Sequence, residues 1–110
     1  MERKKILALI QAPIAEVVMH FPQLVSALKD ESLQQSILAM IKEYPTESTP
    51  HIEEALLSED DELKRSILEQ VVATLPFYSK MVIASAVEQI AMTPSDLQQL
   101  AKDTLQRFEP

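Results

Sequence analysis

The densest chemistry in the chain is a run of carboxylates, Glu47, Glu53, Glu54, Glu59, Asp60, Asp61 and Glu62, with no lysine or arginine between residues 47 and 62. Carboxylate oxygens are natural ligands for calcium and magnesium, but an EF-hand loop alternates its ligands around a glycine. None of the 110 residues is glycine. No metal site is expected here. The spacing suits helix starts instead, because acids in a first turn complement the positive end of the helix dipole. Glu53 and Glu54 follow Thr49-Pro50, and the acids at 59–62 precede the apolar series that begins at Leu63. The second reading of the same carboxylates is an acidic docking surface for a basic partner.

His20 and His51 are the only histidines, and neither stands in a metal-ligand spacing. His51 is expected to be exposed in a first turn after Pro50. His20 is expected to close a short helix, whose negative end favours an imidazolium. The missing glycine also excludes a P-loop, a dinucleotide fingerprint and the Gly-x-Ser-x-Gly elbow that presents a nucleophilic serine. The missing cysteine excludes disulfides, thiolate metal sites and cysteine nucleophiles, and suits a reducing, cytoplasmic setting. No catalytic residue and no cofactor is expected, and the chain reads as a non-catalytic protein.

Residues that could meet a partner are few. Arg3, Lys4 and Lys5 form the one basic cluster, ahead of an apolar helix. Three charges with no aromatic among them make a poor nucleic-acid footprint, but they suit an acidic peptide or a carboxylate terminus. Phe77 and Tyr78 follow Pro76 at a joint, as Met19 and Phe21 flank His20 at another. Aromatics in such places commonly plug a core, and exposure would make either pair an interface candidate. Leu105 and Phe108 lie on the last apolar face and complete the set of candidate contacts.

The elements that hold these residues are set by proline, of which there are seven. Proline fits the first turn of a helix, where its missing N–H costs nothing, and breaks an interior. The pattern predicts helices over residues 3–11, 13–20 and 22–29, then a longer one over 31–44 with Leu33, Ile37, Met40 and Ile41 on one face. Pro45 stops it. Thr49 as N-cap with Pro50 at N1 predicts a short helix to Leu57. Leu63, Ile67, Val71 and Leu75 form the next stripe, closed by Pro76. Ser79 is expected to cap a helix bearing Val82, Ile83, Ala86, Val87 and Ile90, so apolar that it should be buried on most sides. Thr93-Pro94-Ser95-Asp96 repeats the capping pattern ahead of the last helix. No alternating run suggests a strand and no repeat of constant period emerges. The expectation is an all-α, irregular, compact bundle of about seven short helices in one domain, residues 1–110.

Net charge is −7. Residues 1–46 and 63–110 each carry five basic and five acidic side chains, so the whole imbalance lies in 47–62. Such a surface repels phosphate backbones, and direct nucleic-acid binding is not expected. No apolar run approaches the ~20 residues of a membrane helix, so a soluble protein is expected.

The order of segments resembles a known family. The basic start, Ile6-Leu7-Ala8-Leu9-Ile10-Gln11-Ala12-Pro13, then Ile14-Ala15-Glu16 and His20-Phe21-Pro22, resembles the opening of the C-terminal helicase-binding domain of bacterial DNA primase. Residues 36–57, with Glu43-Tyr44-Pro45 and Ser48-Thr49 ahead of a leucine-bearing helix, are similar to its next part. The match spans about the first sixty residues, and the rest by helical character. The resemblance implies a recruitment module that binds the N-terminal region of the replicative helicase. It also implies that Arg3, Lys4 and Lys5 take the acidic tail of single-stranded-DNA-binding protein. The family usually extends into a terminal helical hairpin that makes much of the helicase contact, whereas one capped helix follows Pro94 here. The competing expectation is a helical adaptor or a fragment of a HEAT-like scaffold, whose short antiparallel helices bury leucine-rich faces on their neighbours.

Overall fold

A computed structural model describes residues 3–9 and 11–108 of the chain. The Arg3 side chain and residues 1, 2, 10, 109 and 110 lie outside it. Eight α-helices and no strand occur among the described residues: α1 (Arg3–Leu9), α2 (Ile14–Met19), α3 (Phe21–Ser26), α4 (Glu31–Glu43), α5 (Pro45–Leu56), α6 (Asp61–Ser66), α7 (Phe77–Met92) and α8 (Gln98–Gln106). A 3-10 turn (Ala27–Lys29) extends α3. A π-helical turn (Ile67–Val71) and a 3-10 turn (Val72–Thr74) carry α6 on to Leu75. The all-α expectation stands.

Several expected starts move. α5 begins at Pro45 rather than Pro50, directly against the end of α4. Pro45 occupies the first turn, where its ring costs nothing, while Pro50 sits inside the helix. Pro50 and Thr46 are both exposed, so the carbonyl four residues back, which a proline cannot satisfy, faces water. Thr49 is consequently a buried helix residue and not a cap; its hydroxyl donates to the Pro45 carbonyl at 2.5 Å. α7 begins at Phe77, so Ser79 lies buried in its first turn. α8 begins late, at Gln98, because the Ser95 hydroxyl accepts from the Leu97 N–H at 3.2 Å and holds 95–97 in a turn.

The helices stack in order. The Thr49 and Ser79 hydroxyls lie 2.8 Å apart near the starts of α5 and α7, while Leu56 and Leu57 share a groove with Gln89 and Ile90 near their ends. α5 and α7 are therefore parallel neighbours. Phe21, at the start of α3, stacks on His51 of α5 with ring centroids 6.4 Å apart, and Val25 and Ser26 share a groove with Ala55 and Ser58. So α3 runs parallel to both. These three helices form one layer, α1, α4 and α6 pack behind it, and α8 covers the far side of α7.

This arrangement exposes a repeat. Asp30, Leu33, Ser36, Ile37 and Leu38 recur as Asp60, Leu63, Ser66, Ile67 and Leu68, thirty residues on. Both aspartates cap their helices, and all the apolar pairs are buried. Beyond that point the offset becomes thirty-one: Met40, Ile41, Pro45, Ser48, Ile52 and Ala55 correspond to Val71, Val72, Pro76, Ser79, Ile83 and Ala86. The one extra residue falls where the chain forms its π turn, the usual way an insertion is absorbed inside a helix. It keeps Val71, Val72 and Leu75 facing inward, as Met40 and Ile41 do. The sequence pattern hid the repeat because the offset changes midway through its first helix.

The core runs continuously from Ile6 and Leu9 to Leu97 and Ala101. The radius of gyration is 13.5 Å, close to the about 13 Å of a globular chain this long. The principal extents are 38 × 26 × 18 Å.

Candidate functional site

The acidic run is divided between two helices. Glu47, Glu53 and Glu54 belong to α5, Glu59 lies in the joint, and Asp60, Asp61 and Glu62 form the cap and start of α6. The second group behaves as expected: Asp60 accepts from the Leu63 N–H at 3.2 Å and closes the amino end of α6. Its other oxygen meets the Lys29 ammonium at 2.7 Å, tying the end of α3 to the start of α6. The hydrogen bond from Lys29 holds the Asp60 carboxyl below its ordinary range, and the same bond raises Lys29. Asp61 lies 3.6 Å from Lys64. Among the described residues no group of three or more potential ligands is placed to hold a metal ion.

In the first group Glu47 lies in the first turn of α5, but Glu53 and Glu54 reverse the expectation. With α5 starting at Pro45, Glu53 and Glu54 fall in its last turns, at the negative end of the dipole, where carboxylates are disfavoured. Helix electrostatics does not explain them. At 100° per residue Thr46, Pro50, Glu54 and Leu57 share the side of α5 opposite Ile52, away from the core, and half-buried Glu53 lies at the edge of that side.

The histidines are less exposed than their sequence context suggests. His51 is half-buried inside α5 against the Phe21 ring, since α5 starts six residues before it. His20 is half-buried between α2 and α3. The Nδ1 atom of each is buried with no hydrogen-bond partner among the described residues.

The predicted contact residues are scattered. Lys4 and Lys5 are exposed on α1, and the Arg3 side chain lies outside the described residues. Lys5 lines an open groove of about 560 Å³ with Ala8, Leu9, Ala12, Glu16 and His20. Leu105 and Phe108 pack half-buried against the core, so much of their surface is already used by the fold. Phe21 is a core plug, as expected, whereas Met19 beside it is exposed.

Phe77 and Tyr78 do the opposite of plugging a joint: they are 61% and 66% exposed. Nor is α7 buried on most sides. Ser79, Ile83, Ala86, Val87, Ile90 and Ala91 face inward, but Met81 and Met92, 57% and 81% exposed, continue an outward stripe with Phe77, Tyr78, Ser85 and Glu88. The two methionines were missed by the sequence reading. Their signal was an apolar series too wide for one buried face, at 77, 81 and 92 as well as at 83, 87 and 90.

Fold and surface together define a class: a two-layer helical-repeat module that leaves an apolar, acid-flanked helix face uncovered. Residues 2–106 match the family described as Domain of unknown function (DUF5071), and the chain belongs to it. No curated protein and no solved structure matches the chain.

Proposed function

We propose that the protein is a non-catalytic docking module, a short HEAT-like scaffold that binds another protein on a preformed helical face. The carrying observation is the parallel stack of α3, α5 and α7, with Phe77, Tyr78, Met81 and Met92 left exposed on it. Large apolar side chains grouped on one helix face of a stable fold are the usual mark of an interaction surface. Stacked helix pairs supply such faces without a moving part. The role is cytoplasmic and needs no cofactor or nucleic acid. In keeping with it, no described helix is long and apolar enough to cross a membrane.

The resemblance to the primase domain names the first partner to try, the N-terminal region of a replicative helicase. It also gives exposed Lys4 and Lys5 the role of taking an acidic tail. The thirty-residue repeat, half of which lies beyond the resemblance, favours the scaffold reading. Light scattering of the chain mixed with the purified helicase region separates the two. A complex of fixed stoichiometry at micromolar concentration supports the primase-type role, and its absence from a sample folded by circular dichroism removes that partner. Replacing Lys4 and Lys5 with alanine should then weaken any acidic-tail binding and its salt dependence; unchanged affinity rejects that site.

A further inference from the structure

We infer that the outer face of α5 and α7 receives an amphipathic helix bearing lysine or arginine beside its apolar residues, an inference that rests on the docking-module reading. The apolar half of the recognition comes from Phe77, Tyr78 and Met81 at the start of α7 and Met92 at its end, with Ser85 and Glu88 between them on the same face. Sixteen residues of helix at 1.5 Å each make it roughly 24 Å long, room for about four turns of a partner. Recognition of this kind reads anchors at helical spacing, and methionines adapt to differently shaped partners.

The charged half comes from α5. Exposed Glu54 lies on its outward side, where it lines the groove shared with α3, with half-buried Glu53 at the edge of that side, half-buried Glu47 a turn and a half before Glu53 and exposed Glu88 on α7. Glu53 and Glu54 stand at the negative end of α5, where helix stability disfavours them, and none of the four acids has an ion pair among the described residues. α5 contains no lysine or arginine, and the single lysine of α7, Lys80, is half-buried. The face therefore combines apolar surface with unanswered negative charge. A cationic amphipathic helix complements both, whereas an anionic membrane or a nucleic acid is repelled.

The test uses the full chain and a labelled leucine–lysine amphipathic peptide of about 18 residues, with its leucine–glutamate counterpart as control, read by fluorescence anisotropy. The lysine peptide should bind, more weakly as salt rises, and the glutamate peptide should not. Met81→Asp should weaken binding about tenfold, and Glu53→Lys with Glu54→Lys should do so independently. Glu69→Lys, on the opposite layer, should change it less than about twofold. All these positions are exposed or half-buried, and circular dichroism checks each fold. Equal binding of both peptides, or equal losses at Met81 and Glu69, would overturn the inference. So would self-association of the chain that Met81→Asp abolishes, because the occupant would then be a second copy. A protein partner held equally by wild type and Met81→Asp would leave the docking module standing and remove only this face.

Discussion

Deleting Glu69 should leave the protein folded, while deleting Ala39, the corresponding exposed position one repeat earlier, should bring it close to unfolding. Residues after a deletion in a regular helix turn by 100° relative to those before it. In α4 the loss of Ala39 would swing Met40 and Ile41, both buried, off the face set by Leu33 and Ile37. Burying a side chain of this size contributes about 1.5–3 kcal/mol. The two together approach the lower end of the roughly 5–15 kcal/mol that holds a domain folded. Glu69 lies in the π turn, on the exposed side. Its removal converts that turn to regular helix and restores an offset of thirty between Met40, Ile41 and Val71, Val72, so no buried side chain leaves its face. The expected cost is within about 1 kcal/mol. Urea unfolding followed by circular dichroism gives both values. Similar losses for the two deletions, or a tolerated Ala39 deletion, would refute the claim that α4 and α6 are equivalent helices separated by one inserted residue.

Ile67→Ala or Val87→Ala should destabilise by about 1–4 kcal/mol, since both side chains are fully buried; a loss under ~0.5 kcal/mol by denaturant titration would show that the core face is misplaced. Ser79→Ala should cost about 1 kcal/mol. One hydroxyl proton cannot serve two acceptors, so with Thr49 donating to Pro45 the Ser79 hydroxyl supplies the bond between them; a double-mutant cycle with Thr49→Val should find coupling, and additive losses would contradict the contact. The Lys29–Asp60 pair gives a pH signature of defined sign. Asp60 is depressed from an ordinary 3.8, so its contribution is complete above that value and is lost as pH falls through the lower folded value. Lys29 is raised from 10.5, so its contribution holds below that value and is lost as pH rises through the higher folded value. Asp60→Asn should flatten the acid limb of the melting-temperature profile, and an unchanged limb would show the pair carries no linkage.

Fold class was legible because apolar spacing and proline speak about local structure. Leu63, Ile67, Val71 and Leu75 are buried as their spacing suggests, and Asp60 caps as its type suggests. What the sequence hid depends on competition between alternatives. Thr49-Pro50 and Pro45 both spell a helix start, and α5 takes the earlier because an interior proline on an exposed face leaves its orphaned carbonyl to water. That shift relocates Glu53 and Glu54 from the favourable to the unfavourable end of a helix and buries part of His51. Phe77 and Tyr78 stand at a joint, as the sequence indicates, but not in the core where joint aromatics are expected. Their exposure depends on what α5 and α8 leave uncovered, which no window around residue 77 records.

The central claim, that α7 offers its outer face to another protein, is tested most directly by a photo-reactive residue at position 81 and, in a second protein, at position 69, each irradiated in cells. A discrete protein adduct from position 81, absent from position 69, is the predicted result. Adducts from 69 alone, or the same adducts from both positions, would contradict it.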